Sequence, residues 1–155
     1  MRTSAQLFEQ LAHANDQGPA AKSVECFGWL ILLEGAMLFF VPHVSAAVLQ
    51  IPELSEQAAN YVRLVGLLTA GLGMLYIVCG RLNAEGFIFA SLLDRPCVPL
   101  AMGALWYLGL IPAPLAIAFV IQDFGSFLWT LAAWRAERRI LDISRMPLTR
   151  QFYRS

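Results

Sequence analysis

Two carboxylates lie in the middle of apolar segments. Glu34 falls within the run from Phe27 to Phe40, and Asp123 follows Gln122 within another such run. A charged side chain at the centre of a membrane helix costs about 2.5–3.5 kcal/mol on insertion scales, so each is a functional hypothesis by default. At about 1.5 Å per helical residue, both carboxylates are predicted to lie near the bilayer midplane.

Two interpretations of these carboxylates stay open. If Glu34 and Asp123 approach each other, burial and mutual repulsion favour a shared or retained proton. Such a pair suits a proton relay, a cationic ligand or acid–base chemistry on a lipid-soluble substrate. Alternatively, each carboxyl is hydrogen-bonded within the bundle, for example to Tyr76 or Thr130, and only fixes the register of the helices.

Two arginines border the apolar segments, and neither is expected at the depth of the carboxylates. Arg63, near the outer end of the second segment, is expected to contact lipid phosphate, to pair with a nearby acidic or histidine side chain, or to snorkel. Arg95, near the inner end of the third, is expected to pair with Asp94 at a helix start or to clamp a substrate or lipid headgroup. The candidate ligand or proton site therefore comprises Glu34, Asp123, Gln122, Tyr76, Arg63 and Arg95.

The residue spacing shows no pattern typical of a disulfide, metal, haem or known catalytic site. The three cysteines form no CxxC pair and no zinc pattern. His13 and His43 fall on opposite sides of the membrane in the topology below, so they cannot share a haem or a metal. The chain also lacks the GxSxG, HExxH, Walker A and GxGxxG motifs. We therefore predict no catalytic residue, no metal and no cofactor.

The composition indicates the elements that must position these residues. The 155 residues are 58% hydrophobic and 14% charged, whereas soluble domains are about 45–50% apolar and about 25% charged. The apolar residues form four blocks, each about long enough to cross a hydrocarbon core of roughly 30 Å. A net charge of zero gives no indication of a nucleic-acid partner. The sequence thus predicts an all-α integral membrane four-helix bundle.

The spans are bounded by polar residues and prolines. We predict them at about 24–41, 61–79, 96–110 and 115–134, with Ser23 as the N-cap of the first. Within the second span, Gly66, Ala70 and Gly73 share one face, and small residues at that spacing let helices pack closely. The third span is ambiguous, because residues 87–93 are either an interfacial helix before a break at Pro96 or the start of one long helix.

Short polar segments flank this transmembrane domain, which we place at residues 22–135. Residues 1–21 are predicted to hold a surface helix, since Thr3 and Gln6 match a capping box ahead of an apolar stripe. Residues 136–155 form a basic tail suited to anionic lipids. Lysine and arginine concentrate at both termini and in the second loop, which predicts that both termini are cytoplasmic.

Four short segments give the chain a family resemblance. With residues 61–66, 73–76, 94–96 and 122–130, it resembles small four-span bacterial membrane proteins of the DoxX-like kind, over about residues 25–135. The resemblance implies a four-helix fold and a multi-pass location in the bacterial inner membrane, and some members resemble accessory subunits of respiratory or redox complexes. Glu34 and Trp106 are also similar to features of small multidrug resistance transporters, although Asp123, Arg63 and the basic tail depart from that family.

These observations favour a non-enzymatic function. We expect an accessory or interaction subunit that binds membrane lipids or a membrane-protein partner, as a homo-oligomer or as part of a complex. The alternative is a proton-linked small-molecule transporter or a small membrane enzyme that uses Glu34 and Asp123.

Overall fold

A computed structural model describes residues 3–14 and 17–144, with side chains up to residue 140. Within these ranges the regular structure is entirely α-helical. The helices are α1 (Ser4–Ala12), α2 (Pro19–Phe40), α3 (Pro42–Val48), α4 (Glu56–Arg81), α5 (Glu85–Asp94), α6 (Cys97–Tyr107) and α7 (Ala113–Ser144). Four segments are long and apolar enough to cross a membrane: Pro19–Phe40, Glu56–Arg81, Glu85–Tyr107 and Ala113–Ile140. The predicted all-α membrane bundle is therefore confirmed.

The first span begins earlier than predicted. Pro19 occupies the first turn of α2 and Gly18 is its N-cap, so the predicted N-cap at Ser23 is wrong. Ser23 is instead buried within the helix, where its hydroxyl donates to the Ala20 carbonyl over 2.7 Å. Proline suits the start of a helix because the missing N–H has no intrahelical acceptor there. The predicted segment 1–21 consequently ends inside α2.

Helices α2 and α4 pack closely through matched small residues. Gly66, Gly73 and Gly80 recur every seven residues on α4 and are buried. A Cβ atom added at Gly73 would lie 2.5 Å from the Leu32 nitrogen and 2.8 Å from the Gly28 carbonyl oxygen. Only glycine permits such an approach of two backbones. The predicted packing face on the second span is confirmed.

The third span is broken near its middle. Helix α5 ends at Asp94 and α6 begins at Cys97, with Arg95 and Pro96 between them. Pro96 and Pro99 lack the N–H groups that would bond the carbonyls four residues earlier, which interrupts the helical ladder. Arg95 and Pro96 nevertheless keep right-handed helical dihedral angles. Residues 87–93 thus belong to a separate helix that continues into α6 as one candidate span.

The buried core lies in the inner half of the bundle, taking inner as the side of the α4–α5 loop. It joins residues of α2, α4 and α5, namely Ala20, Ala21, Val24, Phe27, Ile31, Tyr76 and Ile88. Helix α7 packs on α2 and on α6. Helix α6 itself contains no buried residue. The bundle is therefore tightly packed at one end and open along α6.

Candidate functional site

Arg95 lies at the centre of the buried polar residues. Its side chain is only 1% exposed, which makes it the largest fully buried residue among those described. The break between α5 and α6 places it there, since it is the last residue before Pro96. An arginine keeps its charge in proteins and is rarely buried without partners. The geometry around this guanidinium consequently defines the site.

Helices α2, α4 and α7 each contact the guanidinium. Nη1 donates a hydrogen bond of 2.9 Å to the Thr130 hydroxyl, which is itself 2.8 Å from the Ser23 hydroxyl. The guanidinium carbon lies 4.1 Å from the Phe27 ring centre and 5.4 Å from that of Tyr76. Cation–π contacts of this kind stabilise a desolvated charge. The side chain is thus fixed by one hydrogen bond and two aromatic rings.

Two nitrogen atoms of this guanidinium form no hydrogen bond with the described residues. Nε and Nη2 are buried and have no hydrogen-bond partner within the described part of the chain. The Tyr76 phenol interacts with the guanidinium, but it does not satisfy either of these atoms geometrically. Unsatisfied buried donors are costly, more so on a charged group, and native proteins contain few of them.

The two intramembrane carboxylates lie in the same polar cluster. Gln122 Nε2 donates a hydrogen bond of 2.9 Å to Glu34 Oε2, joining α7 to α2. Asp123 is 6% exposed and interacts electrostatically with Arg95 and Glu34. Arg95 therefore lies within electrostatic range of Asp123, although the residue it bonds, Thr130, is two helical turns from that carboxylate. The candidate third span begins at Glu85, so Arg95 lies within that span and not near its inner end.

Five of the six candidate residues thus come together, and Arg63 does not. Arg63 donates a hydrogen bond of 2.8 Å to Asn60 on its own helix, α4. No ion pair joins it to the acidic or histidine side chains of the described residues. The predicted ion pair between Asp94 and Arg95 is also wrong, because Arg95 turns into the bundle while Asp94 is exposed.

A second polar group at the inner end was not predicted. Glu25 accepts from Arg81 Nε over 2.8 Å and from Gln17 Nε2 over 2.7 Å, and Arg81 also donates to the Leu11 carbonyl over 2.9 Å. Glu137 of α7 accepts from the Ala20 N–H over 2.9 Å. These contacts link α1, α2, α4 and α7. Their residues belong to different segments, so spacing along the chain gave no signal for them.

A shallow groove lies between α6 and α7, outside the polar cluster. It has a volume of about 340 Å³ and apolar walls that include Gly103, Trp106, Ala116 and Val120. Tyr107, at the end of α6, is 87% exposed. The described residues contain no group of three or more potential metal ligands.

Comparisons with protein families, with curated proteins and with solved structures find no match for this chain. The interpretation of the site therefore depends on its own geometry. That geometry provides a fixed cation with two unpaired donors, two neighbouring carboxylates and an apolar helix without a buried residue.

Proposed function

We propose that this protein is a non-catalytic membrane module that binds lipid or a membrane-protein partner. One observation carries the proposal. Helix α6 has no buried residue, although it belongs to one of the four candidate spans. Leu100 and Tyr107 on this helix are 75% and 87% exposed. Helices in lipid associate through packing, and α6 packs on α7 alone among the long spans, so its exposed face is available for lipid or for another helix.

Native mass spectrometry from mild detergent tests this proposal. We expect the full-length chain to retain lipid, a second copy or another subunit. The double variant Leu100→Ala/Tyr107→Ala should lose most of that component, because it truncates the exposed face of α6. The matched control is Leu68→Ala/Tyr61→Ala on α4, where the same residue types are 74% and 58% exposed. Equal loss in both variants would contradict a specific role for α6.

A second candidate function has its own observation. Glu34, Gln122 and Asp123 form one polar cluster across α2 and α7, and clustered intramembrane carboxylates are typical of proton pathways. A proton-linked transporter would make Glu34→Gln and Asp123→Asn lose proton flux in proteoliposomes that contain a pH-sensitive dye. The control is Glu85→Gln, an exposed carboxylate at the start of α5. If the wild-type protein gave no more proton flux than liposomes without protein, this candidate function would be rejected.

A further inference from the structure

The unbonded nitrogens of Arg95 lie on one edge of the guanidinium. Nε and Nη2 carry the two N–H bonds that point side by side, and both atoms lack a partner among the described residues. Nη1, on the other side of the group, is the atom that Thr130 holds at 2.9 Å. The free edge is therefore the one with which arginine makes two parallel hydrogen bonds to a single planar or tetrahedral anion.

This edge is held in position before any ligand arrives. The Phe27 ring packs on the guanidinium at 4.1 Å, and Thr130 is itself fixed through Ser23. Side-chain ordering normally reduces affinity, and a side chain that is already ordered avoids much of that cost. Arg95 also lies at the break between α5 and α6, where the ladder of backbone hydrogen bonds is interrupted.

We propose that the Nε–Nη2 edge of Arg95 binds an oxyanion, a carboxylate or a phosphate, carried by a molecule that enters from the membrane. This inference rests on the proposed function in one respect, which is that the ligand comes from the membrane. The two sites are otherwise separate, because Arg95 is buried and does not lie on the exposed face of α6. An oxyanion supplies two acceptors to two donors that are otherwise unbonded, and it neutralises a buried charge.

Three acidic or phenolic groups face Arg95 and must be compatible with this ligand. Asp94 is exposed, and both Asp94 and the Tyr76 phenol interact electrostatically with the guanidinium. Asp123 is the buried carboxylate, two helical turns from Thr130 on the same face of α7. An acid that arrives protonated can transfer its proton to Asp123. Arg95, Asp123 and the ligand then amount to one guanidinium, one neutral carboxyl and one bound anion, so the charges of these three groups balance.

The test uses the full-length chain, labelled with ¹⁵N-arginine, in phosphatidylcholine nanodiscs. Oleate is the carboxylate probe, and oleyl alcohol is the control with the same tail and no charge. Acetate and inorganic phosphate test anions without a tail. The readout is the Nε–H resonance of Arg95, assigned by its loss in Arg95→Lys. If that variant does not fold, Thr130→Val assigns the resonance by removing the hydroxyl that contacts both Nη1 and Ser23.

We expect oleate to shift this resonance to saturation and oleyl alcohol to leave it in place. Oleate binding should be weaker by about tenfold or more in Arg95→Lys, which keeps the charge but loses the paired donors, and unchanged in Arg63→Lys. Asp123→Asn should bind oleate more tightly, because the competing carboxylate is gone. A shift with phosphate but not with oleate would contradict a ligand that enters from the membrane and would identify a free anion as the source.

Two further results would overturn the inference. If no anion shifts the resonance in the wild type or in Asp123→Asn, the edge binds no oxyanion. If anions shift it only in Asp123→Asn, the edge belongs to Asp123 and forms an internal ion pair. In either case the α6 variants could still lose their bound component, so the proposed function would stand independently.

Discussion

Single polar side chains join the membrane helices of this protein at defined points. Gln122 links α7 to α2 through Glu34, and Thr130 links α7 to both Arg95 and Ser23. Each bond satisfies a group that lipid could not satisfy, so its loss leaves an unpaired buried polar atom. The effect of a substitution on the free energy of unfolding should therefore depend on whether it preserves the hydrogen-bond acceptor.

Glu137 gives a direct test at this scale. Its carboxylate accepts from the Ala20 N–H at the start of α2 over 2.9 Å, where the first N–H groups of a helix have no internal acceptor. Glu137→Ala should lower the free energy of unfolding by about 1 kcal/mol, as loss of an N-terminal cap does. Glu137→Gln keeps an acceptor oxygen and should lose less. The measurement is unfolding in mixed micelles followed by tryptophan fluorescence.

The control for this substitution is Glu53→Ala, which removes an exposed carboxylate from the loop before α4. It should leave the free energy of unfolding unchanged. If Glu137→Ala were equally neutral, the contact between α7 and the start of α2 would contribute nothing to stability.

At the scale of elements, the pairing of α2 with α4 sets the geometry to which the other helices are added. The close approach depends on buried glycines that recur every seven residues, Gly66, Gly73 and Gly80. In contrast, α6 has no buried residue. The spans therefore differ in how strongly internal packing holds them, and substitutions on α4 should separate the packed face from the exposed one.

Gly73→Ala and Gly71→Ala form a matched pair on α4. The added methyl at Gly73 would meet the backbone of α2 at 2.5 Å, whereas nothing lies within 4 Å of the same atom at Gly71. Gly73→Ala should cost about 1–3 kcal/mol of unfolding free energy, as overpacking does. Gly71→Ala should change it little or raise it slightly, since alanine favours the helix. Equal effects would contradict the close packing of α2 on α4.

For the whole molecule, hydrophobic runs were sufficient to predict the number and approximate position of the spans. The face of Gly66 and Gly73 was also predictable, because helical periodicity places small residues together before any partner is known. Helix ends were less predictable. The turn residues Gly18 and Pro19 and the charged Lys22 suggest a flank outside the span, yet the start of α2 is bonded by Glu137, which is distant in sequence.

The site was predictable only in part for the same reason. Glu34 and Asp123 were identifiable by the cost of burying a carboxylate, which a single sequence reveals. The role of Arg95 was not, because Asp94-Arg95-Pro96 has the composition of a helix boundary. Its contacts with Phe27 and Thr130 depend on how three helices pack, and spacing along the chain does not contain that information.

The measurement that tests the proposed binding function most directly is a native mass spectrum of the wild-type protein released from mild detergent. We predict masses above that of the 17.2 kDa chain, from retained lipid, a second copy or another subunit, and loss of that mass in Leu100→Ala/Tyr107→Ala. A single species at the mass of the bare chain, together with catalytic activity of that species, would contradict the account.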